Sequence, residues 1–216
     1  VIASDSDHVI KINWNDFEEL ENVLSQGNND IACFISSPYD HPVSRDNSLP
    51  KEGYWEKVTS LCKTHEILTI VDDVRSGFRI NLRGSNVAFG FSPDMICFGK
   101  AIANGHPLAS LVGKEEIRTA AERVYFTGTQ FFSAPPMAAA IATLNELEKV
   151  DAPRKLIDYG KILNSRLEAV ASEKGFNLVS SGVSSMPYYR LEGESFETHI
   201  KWIDECVKRG VYMPVS

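Results

Sequence analysis

The chain has 216 residues, of which 43% are hydrophobic and 24% are charged. This balance describes a folded globular protein and excludes disordered and collagen-like classes. The 22 basic and 29 acidic residues give a formal net charge of −7, which argues against a nucleic-acid-binding surface and favours a small-molecule substrate. No apolar run approaches the roughly 18 residues of a membrane span. The first residues, VIASDSDHVI, lack the features of a signal peptide, so we expect a cytoplasmic protein.

Four cysteines are scattered along the chain without a C-x-x-C pair, and most of them lie in apolar runs: Cys33, Cys62, Cys97 and Cys206. This distribution is typical of buried free thiols, so we expect neither disulfides nor structural zinc. The five histidines also lack the spacing of metal ligands. Residue 1 is Val rather than Met, and the final VYMPVS reads as a strand that has barely ended. We therefore interpret the chain as a piece of a longer protein.

The beginning of the chain predicts one helix followed by one strand. Asn15 and Glu18 resemble a capping box, and they predict an amphipathic helix that ends at Gly27. The run 31–35 is apolar throughout and rich in β-formers, as in a strand that is covered on both faces. We expect this segment to be an interior strand of a sheet.

The next segments repeat this alternation of helix and strand. A second amphipathic stretch follows Pro50 and leads into the apolar run 67–71, which completes a βαβ unit. Short apolar runs at 95–98 and 108–112 predict further strands. Strands that alternate with helices imply a largely parallel sheet, so the first half is predicted to be α/β.

The character of the sequence changes beyond residue 130. Ser133 with the following prolines predicts the start of a helix, whose expected apolar stripe is Met137, Ala140, Ile141 and Leu144. Asp151 and Pro153 suit the first turn of a longer helix that ends at Gly175 and bridges two domains.

The last part of the chain predicts a small α+β unit. We expect strands near 176–180 and 187–191, followed by a helix with an apolar stripe of Phe196, Ile200, Ile203 and Val207. The domain boundary is placed near residue 150. Residues 1–150 would form one α/β domain, and residues 151–216 would form a linking helix and part of a second domain.

Polar residues that directly follow apolar strands are the first candidates for chemistry. Ligands of open α/β sheets bind at the carboxyl ends of the strands. Asp72 and Asp73 end the run ILTIV, and Lys100 follows MICFG. Taken singly, such residues are more often turn caps or solvated loop charges. Their significance depends on the surrounding segments.

Two such segments are residues 70–79, IVDDVRSGFR, and residues 93–107, PDMICFGKAIANGHP. Both resemble motifs of the class III aminotransferases, a family that includes glutamate-1-semialdehyde aminomutase. Residues 70–79, IVDDVRSGFR, are similar to the strand-end motif I-F-D-E-V-x-T-G-F-R, in which Asp72 takes the aspartate position. Residues 93–107, PDMICFGKAIANGHP, contain every fixed residue of the motif P-D-x-x-x-x-G-K-x-x-x-x-G-x-P at the same spacing, and Lys100 takes the lysine position.

A third segment adds to the resemblance. Gly128-Thr129, followed by a proline and the run MAAA, resembles the family's G-T-x-x-x-x-P-x-A-M-A-A segment. The resemblance extends from about residue 9 to the C-terminus and weakens beyond residue 180. It departs at Ser37, where the family has an acidic residue before the proline, and at Asp73, where it usually has Glu.

The resemblance implies a fold, a cofactor and a set of site residues. The fold would be that of the type I PLP transferases, with residues 1–150 in the large PLP-binding domain and residues 151–216 extending into the small C-terminal domain. Lys100 would form a Schiff base with pyridoxal 5′-phosphate (PLP) and serve as general base and acid. Asp72 would stabilise the protonated pyridine nitrogen. In the family, a threonine at the Thr129 position contacts the cofactor phosphate across a homodimer interface, which implies shared active sites.

The implied activity is transfer of an amino group between an amino compound and a keto or aldehyde compound. An intramolecular aminomutase of the glutamate-1-semialdehyde type uses the same residues and stays open as an alternative. A non-catalytic interaction domain is a third reading, because the family's upstream phosphate loop and ring-stacking aromatic are not visible here. We therefore expect a chain that is truncated or complemented by another. A dehydrogenase is disfavoured, since no glycine-rich turn follows a strand.

Overall fold

The structure is a computed structural model that describes residues 7–26 and 30–212. A four-stranded sheet in the order β1-β2-β3-β4 lies at its centre. Its strands are Cys33–Ser36 (β1), Leu68–Asp72 (β2), Met95–Phe98 (β3) and Ser110–Gly113 (β4). β1, β2 and β3 pair in parallel, and β4 pairs with β3 in the antiparallel direction. The predicted α/β character and largely parallel sheet are confirmed.

The described residues also form seven α-helices, two 3-10 helices and a second sheet. The α-helices are Phe17–Ser25 (α1), Tyr54–Thr64 (α2), Ser85–Ala88 (α3), Arg118–Ala121 (α4), Ala134–Lys149 (α5), Ala152–Glu173 (α6) and Phe196–Lys208 (α7). The 3-10 helices are Lys100–Ala103 and Glu115–Ile117. The second sheet pairs Leu178–Ser181 (β5) with Tyr188–Leu191 (β6) in the antiparallel direction. None of the described helices is long and apolar enough to cross a bilayer.

The main hydrophobic core joins α1 and α2 to the sheet. Its buried members are Leu20, Leu24, Tyr54, Trp55, Val58, Cys62, Ile67, Val71 and Phe91. Trp55 stacks on Phe91 with ring centroids 4.1 Å apart, and its indole N–H donates to the Pro38 carbonyl oxygen at 2.8 Å. The apolar face of α2 therefore fixes the crossover between β1 and β2, as predicted for the βαβ unit.

The cap of α1 differs from the predicted one. Asp16 caps the helix, because its side chain accepts the backbone N–H of Glu19 at 2.9 Å. The side chain of Asn15 is instead engaged by a distant loop, where it donates to the Leu49 carbonyl oxygen and accepts the N–H of Lys51. Both residue types can cap a helix, so the tertiary contact decides between them. The predicted end at Gly27 lies outside the described residues.

The interior position predicted for the first strand is wrong within the described residues. β1 pairs only with β2, and its residues Cys33 and Ile35 are exposed, Ile35 by 59%. An apolar run indicates that a strand requires cover, but it does not indicate which residues supply that cover.

Helix α5 begins where the sequence predicts, after Ser133, but only part of its expected stripe is buried. Ala140 is buried in a second core with Phe78, Phe98, Ile102 and Ala103, and Leu144 packs against that core. Met137 and Ile141 are exposed instead. The helix packs on the 3-10 helix that starts at Lys100.

Helix α6 and the second sheet follow the prediction closely. α6 runs from just after Asp151 to just before Gly175 and packs on both α5 and β5. A close approach fixes it, because a Cβ atom at Gly160 would lie 1.8 Å from the Ser184 carbonyl oxygen. The first half is tied to β6 by Asp46 and Arg190, whose two hydrogen bonds each measure 2.8 Å. The domain boundary near residue 150 stays a prediction.

Candidate active site

Two of the predicted site residues lie at the carboxyl ends of adjacent parallel strands. Asp72 ends β2 and is paired in register with Cys97 of β3. Lys100 comes two residues after β3 and opens the 3-10 helix. Both residues are exposed. Because both side chains are exposed, they are accessible to a ligand, and no hydrogen bond or ion pair within residues 7–26 and 30–212 joins them.

Val74 links the two residues through its backbone and its side chain. Its N–H donates to Oδ1 of Asp72 at 3.1 Å. Its side chain packs over Gly99, where an added Cβ atom would lie 3.1 Å from Cγ1 of Val74. An apolar side chain therefore lies against the backbone that leads into Lys100, two residues along the chain from the Asp72 carboxylate.

The neighbouring carboxylate, that of Asp73, is buried and hydrogen-bonded within the protein. Asp73 is 1% exposed, and its oxygens accept the hydroxyl groups of Ser76 at 2.6 Å and Ser85 at 2.7 Å, together with the backbone N–H of Ser85 at 2.7 Å. Burial raises the pKa of Asp73, and these hydrogen bonds oppose the rise. Asp73 holds the start of α3, so its oxygens are not available to a ligand.

A second group of side chains lies beside Asp72, and the sequence reasoning did not identify it. Arg75 donates through Nη1 to the carbonyl oxygen of His41, whose ring Nδ1 lies 3.3 Å from the same atom. Burial lowers the pKa of His41 and the charge of Arg75 lowers it further, while the charges of Asp40 and Asp72 act in the opposite direction. The ring of Tyr39 packs edge-on against that of His41. Only the presence of Arg75 within the strand-end motif was visible in the sequence.

Gly128 and Thr129, predicted to bind the cofactor, the latter through its phosphate, are joined to Asp72 by no hydrogen bond within the described residues. They lie in an exposed segment without regular structure between α4 and α5. The apolar residues of this segment are also exposed, and they are Val124, Tyr125, Phe126, Phe131 and Phe132. A surface of this kind is suited to burial against other protein.

Two concavities of the described chain lie away from these residues. One, of about 590 Å³, is formed by the end of α6 and β5. The other, of about 440 Å³, is formed between residues 44–46 and the second sheet. Neither is lined by Asp72 or Lys100, so the chemistry of the side chains, rather than the depth of a cavity, identifies the candidate site.

The family of the chain follows from its sequence. Residues 4–183 match the family described as Aminotransferase class-III. The protein therefore belongs to the class-III aminotransferase family. The matched range agrees closely with the extent of the resemblance expected above.

Individual relatives cover nearly all of this chain. It is 35% identical over 214 residues to an aminopentol aminotransferase of Sphingopyxis macrogoltabida. This alignment covers 99% of this chain and 51% of the relative. It is 31% identical over 232 residues to a glutamate-1-semialdehyde 2,1-aminomutase of Natranaerobius thermophilus, covering 100% of this chain and 53% of the relative. The chain thus spans about half the length of these relatives.

A solved structure agrees with the fold. The PLP internal aldimine form of the FumI protein from Sphingopyxis sp. MTA144 superimposes with a TM-score of 0.94 at 35% identity. The match covers 99% of this chain and 52% of that protein. The expected fold of the type I PLP transferases is confirmed for the part of the protein that this chain comprises.

Proposed function

We propose that the complete protein is a PLP-dependent aminotransferase, which moves an amino group between an amino compound and a keto or aldehyde compound. The observation that carries this proposal is the position of Asp72 and Lys100. An accessible carboxylate and an accessible amine lie at the ends of neighbouring strands in a chain of the class-III family. The FumI protein, which is similar in fold and sequence, was solved with PLP.

The residues present fit this cofactor. PLP needs an amine for its aldehyde, a carboxylate for its pyridine nitrogen and an apolar surface for its ring. Lys100 has no ion-pair partner among the described residues, and the carboxylate of Asp72 accepts one backbone hydrogen bond through Oδ1 only. Val74 supplies apolar surface close to both, where it packs on Gly99. Asp73 does not compete for the pyridine nitrogen, because its oxygens are occupied.

Each residue then has a distinct task. When bound, PLP supplies an electron-withdrawing ring that acidifies the proton on the substrate carbon bearing the amino group. Asp72 would accept a hydrogen bond from the protonated pyridine nitrogen and hold that proton in place through its charge. Lys100 would bind the cofactor covalently through Nζ. Once displaced by the substrate, its amine would take the proton from the substrate carbon and deliver it to the cofactor carbon that had carried the aldehyde.

The proposed assembly is a homodimer with shared active sites. The hydroxyl of Thr129, next to Gly128, would donate to the phosphate of the PLP bound by the partner. The support is the exposed apolar surface around Thr129, in which Tyr125 is 89% and Phe132 is 75% exposed. Such aromatic side chains are common at buried subunit contacts.

An intramolecular aminomutase is the second candidate. It is favoured by the relatives named as glutamate-1-semialdehyde 2,1-aminomutases. The two functions differ in whether the first keto product leaves before the amino group returns. Conversion of glutamate 1-semialdehyde without any added amino donor or keto acceptor would identify the aminomutase.

The proposed location is the cytoplasm. Its support is the separation of the cysteines, since the structure pairs none of Cys33, Cys62, Cys97 and Cys206 in a disulfide. Free thiols are typical of proteins in reducing compartments.

The experiment that tests the function uses the complete protein with PLP and a panel of amino donors and keto acceptors. We expect a visible absorbance band that stays with the protein through gel filtration, together with amino transfer. Lys100→Ala should abolish transfer, whereas Lys63→Ala, at an exposed lysine of α2, should leave it unchanged. A wild-type protein that binds no PLP would support the non-catalytic reading instead.

A further inference from the structure

Arg75 and Arg79 are half-buried, and neither has a carboxylate partner in the described part of the chain. The third half-buried arginine, Arg190, is paired with Asp46. All other arginines are exposed to solvent. Partial burial of a charge is unfavourable unless the charge is paired. The two guanidinium groups therefore offer a binding place for an anion from outside the described residues.

The hydrogen bonds of Arg190 show one way in which a half-buried guanidinium group holds a carboxylate in this protein. Its Nε and Nη2 donate to the two oxygens of Asp46, each at 2.8 Å. Arg75 uses Nη1 for His41, but its Nε and Nη2 have no partner among the described residues. Neither atom is sealed from solvent. Arg75 therefore presents the same pair of parallel N–H groups to an incoming ligand.

His41 holds this guanidinium group in position and links it to the active site. Since a guanidinium group can only donate, its contact with Nδ1 of His41 fits the tautomer that carries the ring proton on Nε2. That nitrogen is buried without a partner. His41 lies within electrostatic range of Asp72, and Arg75 is only three residues beyond Asp72 in the chain. The carboxylate-binding atoms of Arg75 are thus anchored at the same end of β2 as the cofactor-binding residues.

We infer that Arg75 is a specificity-determining residue of the candidate active site, and that it binds a carboxylate group of the amino or keto compound. The inference rests on the proposed function, since it names the substrate class of the same site. The carboxylate is chosen because Arg190 binds one through the same two atoms. Arg79 donates through Nε to the Arg75 carbonyl oxygen at 2.8 Å, and its charge adds to the attraction for an anion.

The test compares acids with their uncharged amides as amino donors to the complete, PLP-loaded protein. The pairs are alanine with alaninamide, β-alanine with β-alaninamide, and 4-aminobutanoate with 4-aminobutanamide. The rate of each half-reaction is followed by the absorbance of the cofactor. The variants are Arg75→Gln, which removes the charge, and Arg75→Lys, which keeps the charge but loses the paired N–H groups. Arg83→Gln is the control, because Arg83 is an exposed arginine of the same segment.

In at least one pair, the wild type should favour the acid. Arg75→Gln should lower kcat/KM for that acid by about 10- to 100-fold, which corresponds to the loss of a charged hydrogen bond. The value for the amide should change by less than about threefold, and Arg75→Lys should give an intermediate loss. Arg83→Gln should behave as the wild type.

Several outcomes would overturn the inference. If the wild type favours no acid, or if Arg75→Gln lowers kcat/KM equally for the acid and its amide, Arg75 does not bind a carboxylate of the substrate. A lower melting temperature with unchanged selectivity would show that Arg75 pairs with a carboxylate of the protein. A weaker affinity for PLP with unchanged selectivity would assign the anion to the cofactor. If the wild type binds no PLP at all, the proposed function fails first, and the inference fails with it.

Discussion

Asp72 and Asp73 are adjacent in the chain, yet their carboxylates occupy opposite environments. Asp72 is exposed at the end of β2 with one backbone hydrogen bond, whereas Asp73 is buried and accepts three hydrogen bonds from Ser76 and Ser85. The alternation of side chains along a strand produces this difference. One carboxylate is therefore available to a ligand, and the other stabilises the start of α3.

The two carboxylates should respond differently to replacement by Asn. Asp72→Asn should reduce kcat strongly, because an amide cannot stabilise a protonated pyridine nitrogen by its charge, and should leave the melting temperature nearly unchanged. Asp73→Asn should lower the free energy of unfolding by about 1–3 kcal/mol, since an amide has one acceptor oxygen where the carboxyl group has two, and the buried donors of Ser76 and Ser85 lose an acceptor. Steady-state kinetics and thermal unfolding of both variants provide the comparison. Equal losses of activity at unchanged stability would contradict the assignment.

The burial of Asp73 also predicts a pH dependence of stability. Because its pKa is raised in the folded state, the folded protein binds more protons than the unfolded chain above the ordinary value of 3.8. The stability contributed by the protonated form is fully present below that value and is lost as the pH rises through the raised pKa. The free energy of unfolding of the wild type, relative to Asp73→Asn, should therefore fall as the pH increases from about 4. A difference that rises over this interval would be inconsistent with a raised pKa.

The close approach of α6 to the loop between β5 and β6 predicts a steric effect. In Gly160→Ala, the new methyl group would meet the Ser184 carbonyl oxygen, which is a backbone atom and not the end of a flexible side chain. We expect a loss of about 1–3 kcal/mol in the free energy of unfolding. Lys161→Ala, at the next and exposed position of the same helix, should have little effect. If both variants unfold at the same denaturant concentration, the close packing of α6 is not present in solution.

The shared-site proposal predicts complementation between inactive subunits. Lys100→Ala removes the covalent anchor, and the second variant has Thr129 altered enough to cripple binding of the partner's phosphate, so that neither parent is active. If Thr129 acts across the interface, a mixed dimer contains one pocket with an intact Lys100 and an intact Thr129. Activity should reappear after subunit exchange and reach up to about half of the wild-type value per mixed dimer. No recovery, or an active monomer in sedimentation, would place Thr129 in its own subunit's site or outside any site.

Local patterns were sufficient to predict the strands that carry the site. The apolar runs that became β2 and β3 are short and end at a charged residue or glycine, so strand length and the position of the following polar residues could be inferred together. The starts of the helices after Ser133 and Asp151 could also be predicted, because prolines and capping residues act locally. Asp72 and Lys100 were identified through the resemblance to family motifs.

Contacts between distant segments were not predictable from the sequence. Asn15 failed to cap α1 because it bonds residues 34 and 36 positions away. The role of Arg75 depends on His41, which is likewise 34 residues distant. The exposure of Ile35 and Ile141 depends on what packs against β1 and α5. Such information lies in the tertiary arrangement, so no pattern of spacing could contain it.

The assignment of Lys100 as the covalent cofactor residue is the central claim, and it can be measured directly. The complete protein would be loaded with PLP, reduced with borohydride, digested and mapped by mass spectrometry. We predict a phosphopyridoxyl group on Lys100 in the wild type and no comparable labelling of the chain in Lys100→Ala. A stoichiometric phosphopyridoxyl group on any other lysine of the wild type would contradict the account.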